Sequence, residues 1–236
     1  MSELALRLIK ENKKTKAKSL DLGNCGLTEV PEEVGELVWL EELILSSEWA
    51  EYDVERGRWD SGQSQNKNEV NKFHVLPLTN LRALKKLVFG DSEVTDLAPL
   101  ANLSNLEQLY FRATDVSDLS PIAKLSNLKV VHCSGSSQIK DISPLKNLSN
   151  LEIFSCSSTK ISNLSPLANL SKLHQLNCSH TQVSNLAPLL PFIQKGKEIT
   201  FNGYIYRDEF DFNDCPLTNP PVRNRQTRQR GHPQLL

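Results

Sequence analysis

The chain has 236 residues, 39% of them hydrophobic and 23% charged, and a formal net charge of -1. A charge this close to zero implies no overall attraction to nucleic acid or to an anionic membrane. No run of 18 or more apolar residues occurs, which argues against a transmembrane helix. Five cysteines, an odd number, follow an N-terminus that does not read as a secretory signal. This usage is typical of a reducing compartment, and we expect a cytoplasmic protein.

The first predicted element is a short helix within residues 1–18. Its apolar residues stand among lysines and glutamates without a strict period. A helix of this kind suits the open end of a stacked array, since a terminal unit needs a polar outer face. We therefore predict an N-terminal cap over residues 1–18.

A repeated unit fills residues 19–198. Segments such as LSNLEQLYF and LSNLEIFSC recur, each followed by a segment such as VSDLSPI. The first apolar residue of each predicted strand, which we call the anchor, recurs at intervals of 22, 22, 23 and 22 residues at Leu87, Leu109, Val131, Phe154 and Leu176. Leu20 and Leu43 extend the series towards the N-terminus. This period and the L-x-x-L-x-L spacing are the signature of a leucine-rich repeat solenoid.

Each unit predicts one short strand and one irregular return. Side chains alternate across a strand, so the leucines of L-x-L point inwards and their neighbours outwards. Proline recurs at one position of the return, where it fixes φ and favours 3₁₀ turns over α-helix; the residues are Pro99, Pro121, Pro144, Pro166 and Pro188. The predicted fold is an α/β solenoid with a curved parallel sheet on its concave side and a mostly 3₁₀ or irregular convex side.

Residues 46–72 interrupt the pattern. The anchors Leu43 and Leu87 are 44 residues apart, twice the period, and the span between them is polar. Its alternation around Arg56 and Gly57 is compatible with a short hairpin. Trp49 and Trp59 lie in this insertion, where they either fix it to the edge of the repeats or contact a partner.

The chain ends in two segments that lie outside the repeat. Residues 199–222 alternate apolar and polar side chains and predict a last strand or hairpin that closes the core. Residues 223–236 carry four arginines and almost no apolar side chains, and we expect them to be disordered. Four charges on a flexible tail give only weak, salt-sensitive attraction to nucleic acid, so no specific nucleic-acid binding is expected.

The cysteines follow the repeat rather than a chemical motif. Cys133, Cys156 and Cys178 each stand two residues after an anchor, at the second inward position of the strand. Cysteine at such a position acts as a small buried hydrophobe. No nucleophile, metal-ligand or cofactor motif occurs in the chain. We expect a protein without catalytic residues, metal or cofactor, and not an enzyme.

The predicted binding residues lie on the concave face or in the insertion. Neighbouring strands are about 4.8 Å apart, so Tyr110, Arg112 and His132 should be close together. Tyrosine and arginine dominate interaction hot spots, which makes these three the leading candidates for contacting a protein partner. The wider set consists of Lys86, Gln108, Gln175, Asn177, Trp49 and Trp59. The alternative for the concave face is that it is merely solvated.

The sequence also resembles two groups of bacterial proteins. The segment ALRLIKENKKTKAKSLDLGNCGLTEVPEEVGELVWLEELILS and the closing CPLTNPP at Cys215–Pro221 are similar to the N-terminal repeat region of Roco proteins. The D-L-x-P-L-x-x-L-x-N-L returns resemble those of internalins. The Roco resemblance implies a regulatory repeat module that acts on a GTPase domain in cis or in trans. No G-x-x-x-x-G-K-[ST] phosphate loop occurs, so nucleotide hydrolysis is not implied for this chain.

Overall fold

The computed structural model describes residues 2–23, 25–46, 75–200 and 209–218, and the backbone alone of residues 48–53 and 58–63. Within these ranges one parallel sheet contains the strands β1 (Ser19–Asp21), β2 (Glu42–Ile44), β5 (Lys86–Ser92), β6 (Gln108–Thr114), β7 (Val130–His132), β8 (Ile153–Ser155), β9 (Gln175–Asn177), β10 (Glu198–Thr200) and β11 (Glu209–Asp211). They follow the order β1-β2-β5-β6-β7-β8-β9-β11-β10. This open sheet confirms the predicted solenoid.

Helical structure is confined to the ends and the returns. The helix α1 (Glu3–Thr15) precedes the sheet, and the short helix α2 (Leu190–Gln194) follows the last return. The 3₁₀ turns are Glu32–Glu36, Leu76–Asn80, Ala98–Leu100, Ser120–Ile122, Ser143–Asn147, Ser165–Leu167 and Ala187–Leu189. Short 3₁₀ turns in place of α-helix are the outcome that the repeated proline predicts.

The core is a set of columns formed by equivalent residues of successive repeats. In the sheet register Leu20 lies beside Leu43, and Leu87 beside Leu109. Leu109 is fully buried, as are most of the anchors. Two positions further on, the Phe89 and Phe111 rings stack with centroids 5.9 Å apart. A single repeat could not bury these side chains, so the free energy of folding depends on stacking.

Two polar contacts recur in the returns. An Asp or Asn side chain accepts a hydrogen bond of 2.7–2.9 Å from the backbone N–H two residues later and so caps the 3₁₀ turn, at Asp96, Asp118, Asp141, Asn163 and Asn185. At Asp118 this contact with Ser120 also lowers the pKa of the carboxyl group. On the same side, the amides of Asn105, Asn127 and Asn150 donate to carbonyls of the preceding repeat at 2.8–2.9 Å. Both contacts provide hydrogen-bond partners for backbone groups that the irregular returns would otherwise leave unpaired.

In the six repeats in which this position is described, the chain turns through a left-handed residue four positions after the anchor. The φ angles are 49° at Asp91, 48° at Ala113, 79° at Gly135, 56° at Ser158, 54° at His180 and 54° at Asp214. Glycine adopts this conformation freely, whereas a residue with a Cβ is disfavoured there by roughly 1–2 kcal/mol. The turn ends each strand and sends the chain towards the convex side.

The N-terminal helix is present and docks on the first repeat through one buried amide. The Asn12 side chain donates to the carbonyls of Ala17 and Ser19 at 3.1 and 3.2 Å and accepts from Trp39 Nε1 at 2.9 Å. The Lys16 ammonium lies 3.3 Å from the centre of the Trp39 ring. These contacts close the first end of the core.

The far end of the sheet differs from a hairpin. Strand β11 pairs with β9, and β10 lies outside β11 and parallel to it. The Phe192 and Phe210 rings meet edge to face, with centroids 5.4 Å apart. A last strand is present, which is one of the two alternatives for this segment; β10 and β11 are parallel and do not pair with each other as a hairpin, and residues 201–208 between them lie outside the described residues. Residues 219–236, which include the predicted tail, lie outside the described residues.

The insertion contains an antiparallel strand pair, as the sequence predicts. Strands β3 (Glu48–Asp53) and β4 (Arg58–Gln63) pair with Trp49 opposite Gly62 and Tyr52 opposite Trp59. The side chains of Trp49 and Trp59 lie outside the described part of the chain. None of the described helices is long and apolar enough to cross a membrane.

A pair of leucine truncations tests the column of anchors. Leu109 is fully buried, whereas Leu76 is 68% exposed. Leu109→Ala should lower the free energy of unfolding by about 2–5 kcal/mol, because it leaves a cavity between two repeats. Leu76→Ala, the matched control, should change it by less than about 0.5 kcal/mol. Urea denaturation followed by circular dichroism measures both, and equal losses would contradict this account of the core.

A reciprocal pair of substitutions tests the left-handed position. Gly135→Ala should destabilise the protein by about 1 kcal/mol, because the added Cβ disfavours a positive φ. Ala113→Gly, at the equivalent residue of the preceding repeat, should be neutral or stabilise by up to about 1 kcal/mol. The same denaturation experiment compares them, and a stabilising Gly135→Ala would refute the assignment.

Candidate functional site

The face of the sheet opposite the core, the concave face, presents three rows of side chains. The residues one before each anchor form the first row: Ser19, Glu42, Lys86, Gln108, Val130, Ile153, Gln175 and Glu209. The residues one after each anchor form the second row: Asp21, Ile44, Val88, Tyr110, His132, Ser155, Asn177 and Asp211. The residues three after each anchor form the third row: Gly23, Ser46, Gly90, Arg112, Ser134, Ser157, Ser179 and Asn213.

An apolar cluster occupies the middle of the first two rows. Val88, Tyr110, Val130 and Ile153 pack together and are 5%, 3%, 2% and 2% exposed. The partly buried Ile44 packs against them. The outward side chains of the sheet are expected to be exposed to solvent. This second buried cluster is therefore a departure from what the sequence predicts. It makes the middle of the concave face apolar and largely closed to solvent.

Tyr110 and His132 come together as the strand spacing predicts. Their ring centroids are 6.1 Å apart with the planes tilted by 54°. The Tyr110 hydroxyl donates to Gln108 Oε1 at 3.3 Å. Tyr110 is buried and His132 is only 8% exposed. Their predicted role in binding a partner stays a prediction, and their burial limits what they could offer to an incoming molecule.

His132 is neutral at physiological pH. Burial, and to a smaller extent the nearby positive charge of Arg112, lower its pKa from an ordinary value of 6.5 to about 3. A neutral imidazole in an apolar setting contributes no positive charge to this face. The charge at the centre of the face therefore comes from Arg112.

Arg112 is partly exposed, and its side chain lies over a glycine. Gly90 is its register partner on β5, and a Cβ built on Gly90 would lie 2.9 Å from Arg112 Cγ and 2.6 Å from the Arg112 carbonyl oxygen. Glycine at this position thus leaves space for the arginine stem. Among the ion pairs of the described residues, none involves Arg112.

The rest of the third row consists of small side chains. Ser134 and Ser157 are partly exposed, and the Ser134 and Ser155 hydroxyl oxygens lie 2.9 Å apart. Further along, the buried Ser179 hydroxyl donates to Asp211 Oδ2 at 2.9 Å. The accessible part of the concave face is therefore a shallow strip with Arg112, Ser134 and Ser157 along it, which we call the Arg112 strip.

The remaining predicted residues are dispersed over the first two rows. Lys86 forms an ion pair with Glu42 at 3.0 Å and is 9% exposed. Gln175 is fully buried, and its amide makes no hydrogen bond to any described group. Asn177 is partly exposed, and its side-chain oxygen accepts a hydrogen bond from the backbone N–H of Ser179 and lies 2.8 Å from the Ser179 hydroxyl oxygen. Of the predicted concave residues, only Gln108, Arg112 and Asn177 are partly exposed.

A ladder of alternating charge runs beside the rows, two residues before each anchor, and the sequence reasoning missed it. Its residues are Lys18, Glu41, Lys85, Glu107, Lys129, Glu152 and His174. Glu41 binds Lys18 at 3.2 Å and Lys85 at 2.8 Å, while Glu107 binds Lys129 at 2.6 Å. Hydrogen bonds from Lys85 and then Lys18 lower the pKa of the Glu41 carboxyl, and Glu41 raises the pKa of Lys85. The signal was present in the sequence, as strict alternation of sign at one repeat position.

The buried cysteines offer no nucleophile. The Cys156 and Cys178 sulfurs are 3.5 Å apart, and both side chains are fully buried. Burial raises the pKa of Cys133 and Cys156 well above the ordinary value, which keeps them as thiols. No group of three or more potential metal ligands occurs within the described residues. What the concave face can do chemically is bind, through one guanidinium and several hydroxyls.

Comparison with known proteins agrees with the fold. The family described as leucine-rich repeats (2 copies) matches residues 104–147 and 149–191. The chain has a leucine-rich repeat fold. The repeats that the family covers are those in which the strand, the 3₁₀ turn and the asparagine contact recur most regularly.

Solved leucine-rich repeat structures superpose on the chain. An internalin (inlF) from Listeria monocytogenes is 27% identical, with a TM-score of 0.52, over 68% of this chain and 47% of that one. Internalin C2 from the same species is 23% identical, with a TM-score of 0.55, over 80% of this chain and 88% of that one. The ectodomain of the Arabidopsis thaliana receptor kinase GASSHO1/SCHENGEN3 is 17% identical, with a TM-score of 0.62, over 87% of this chain and 22% of that one.

These matches have a definite reach. The chain spans about half of the internalin inlF structure that it matches. No curated protein sequence matches it. The internalin-like character of the repeats is supported, whereas the more specific resemblance to Roco proteins is not confirmed.

The buried histidine gives a pH test of the concave face. A group whose pKa is lower in the folded than in the unfolded state binds fewer protons when folded, so stability decreases as pH falls below the unfolded value of 6.5 towards the folded value of about 3. The stability of the wild type relative to His132→Phe should therefore decrease by up to about 1.4 kcal/mol per pH unit across this window. Urea denaturation at several pH values measures the difference, and parallel profiles would contradict the burial of a neutral His132.

Proposed function

We propose that this protein is a recognition module that binds a protein partner on its concave face. The observation that carries the proposal is the Arg112 strip, a partly exposed arginine and two partly exposed serines on the face of the sheet opposite the core. A few polar groups placed on a rigid surface give a binding site its specificity. No described group on this face is arranged for catalysis, and leucine-rich repeats are in general binding modules.

Structural neighbours support a protein as the ligand. The GASSHO1/SCHENGEN3 ectodomain was solved in complex with Casparian strip integrity factor 2, and the plant receptor RGFR1 in complex with the peptide hormone RGF2. Both are 21% or less identical to this chain, so they share its fold alone. The identity of the partner does not follow from them.

Two finer parts of the proposal rest on the sequence. The odd number of cysteines, all free thiols and four of them buried, supports a reducing cytoplasmic location. The insertion with Trp49 and Trp59 is a second candidate for contacting the partner, because insertions in repeat proteins often stand on the binding face. A regulatory role beside a GTPase domain would follow from the Roco resemblance, and no observation in the structure favours it.

The proposal is tested by adding bulky side chains to the concave face and, as a control, to the convex side. A displayed library of random peptides is selected on the immobilised chain, and the affinity of the recovered peptides is then measured. Ser134→Tyr with Ser157→Tyr adds bulk to the Arg112 strip, whereas Ser126→Tyr with Ser149→Tyr adds the same bulk to exposed returns. The concave variant should bind the peptides at least about tenfold more weakly, a loss of about 1.4 kcal/mol, and the convex variant should bind them as the wild type does.

Two results would contradict the proposal. One is that the wild type enriches no peptide, and the other is that the convex variant loses affinity while the concave variant keeps it. Thermal unfolding of each variant shows that the loss of affinity is not a loss of fold.

A further inference from the structure

We propose that the Arg112 strip recognises a carboxylate of an acidic, extended segment of the protein partner. The guanidinium of Arg112 would hold the carboxylate, and the hydroxyls of Ser134 and Ser157 would bind the neighbouring peptide groups. This inference rests on the proposed binding function and names the chemistry of the partner.

The first argument is that Arg112 has room for its stem and forms no ion pair with any described residue. Its stem lies over Gly90, where a side chain would collide with Arg112 Cγ at 2.9 Å. The glycine therefore leaves space for the arginine stem across the neighbouring strand, and Arg112 stays partly exposed.

The second argument is the surrounding charge. Glu42 is bound to Lys86 at 3.0 Å. Asp211 lies on β11, four strands away from β6 in the sheet, and accepts from Ser179. His132 adds no charge because it is neutral. The strip thus carries one positive charge that no described carboxylate neutralises.

The single positive charge of Arg112 also argues against nucleic acid as the partner. Nucleic acid binding depends on several cations placed along a backbone of phosphates. The described third row offers a single arginine among glycine, serine and asparagine side chains. A single guanidinium matches one carboxylate, which it can bind through two parallel hydrogen bonds.

The third argument is distance. Arg112 lies on β6, and Ser134 and Ser157 follow the ends of β7 and β8 by two residues, at equivalent positions of three consecutive repeats. Strands about 4.8 Å apart place the outer two roughly 10 Å from each other. An extended peptide advances about 3.3 Å per residue, so roughly three residues would cross the strip. We infer a short stretch with an Asp or Glu at one end and peptide groups facing the serines.

The test uses peptides selected on the whole chain. Peptides that bind the wild type should be enriched in Asp and Glu compared with the starting library. The strongest peptide is synthesised with its acidic residue as Glu and as Gln, and its affinity is measured for the wild type, Arg112→Gln and Arg112→Lys. The exposed Arg82 on the convex side gives the matched control, Arg82→Gln.

The expected pattern is a coupled loss. Arg112→Gln should weaken the Glu peptide by about tenfold to a hundredfold, as is usual for a charge-assisted hydrogen bond, and should leave the Gln peptide unchanged. Arg112→Lys should lie between the two, because lysine keeps the charge and loses the planar fork. Arg82→Gln should have no effect.

Two outcomes would overturn the inference and leave the proposed function standing. One is the selection of concave-face peptides that contain no excess of Asp and Glu. The other is a Glu peptide that binds Arg112→Gln as tightly as the wild type. Failure of the wild type to select any peptide would instead overturn the proposed function itself.

Discussion

The structure depends on one constraint: each residue of a repeat lies beside the equivalent residue of the next repeat, at the spacing of parallel strands. For apolar side chains this is favourable, since identical leucines pack into a continuous column. Leu87 beside Leu109, and Phe89 stacked on Phe111, are two instances. Because no repeat buries its own apolar edge, the stability of the chain resides in these contacts between neighbours.

The same constraint is unfavourable for charges, and the ladder beside the concave face resolves it. A column of like charges a few ångströms apart would be repulsive. Lys18, Glu41 and Lys85 alternate in sign, and the alternation continues to Glu152, so each charge meets its opposite. Exposed pairs of this kind contribute little stability individually. Their effect is to allow charged side chains at a position where each side chain must lie beside its equivalent in the next repeat.

Most of the fold could be predicted from the sequence because the period of the repeat identifies which residues are equivalent. The anchors, the 3₁₀ returns that proline imposes, the paired strands of the insertion and the inward cysteines all follow from counting residues. The parallel pairing of β10 and β11 could not be predicted, because alternation of side chains is the same in parallel and antiparallel strands. Strand direction depends on the path of the chain, which periodicity does not encode.

The site was predictable only in part, for a related reason. Alternation places Tyr110 and His132 on the concave face and brings their rings close together, as the structure shows. It does not say how much of each side chain water can reach, and both are nearly inaccessible. Burial depends on what neighbouring residues cover, so it requires the assembled molecule.

The third row shows where a repeat protein can acquire specificity. Its described residues are glycine, serine and asparagine in every repeat except the one that contains β6, where Arg112 stands. Small side chains make the row a shallow trough, and a single long cation in that trough is the feature that distinguishes one position from the next. The columns that build the fold require equivalent residues to be alike. A ligand can therefore be held at one place along the array only by a residue that differs from its equivalents in the neighbouring repeats. Gly90, the equivalent residue of the preceding repeat, permits an arginine at this position because it has no side chain where the arginine stem lies.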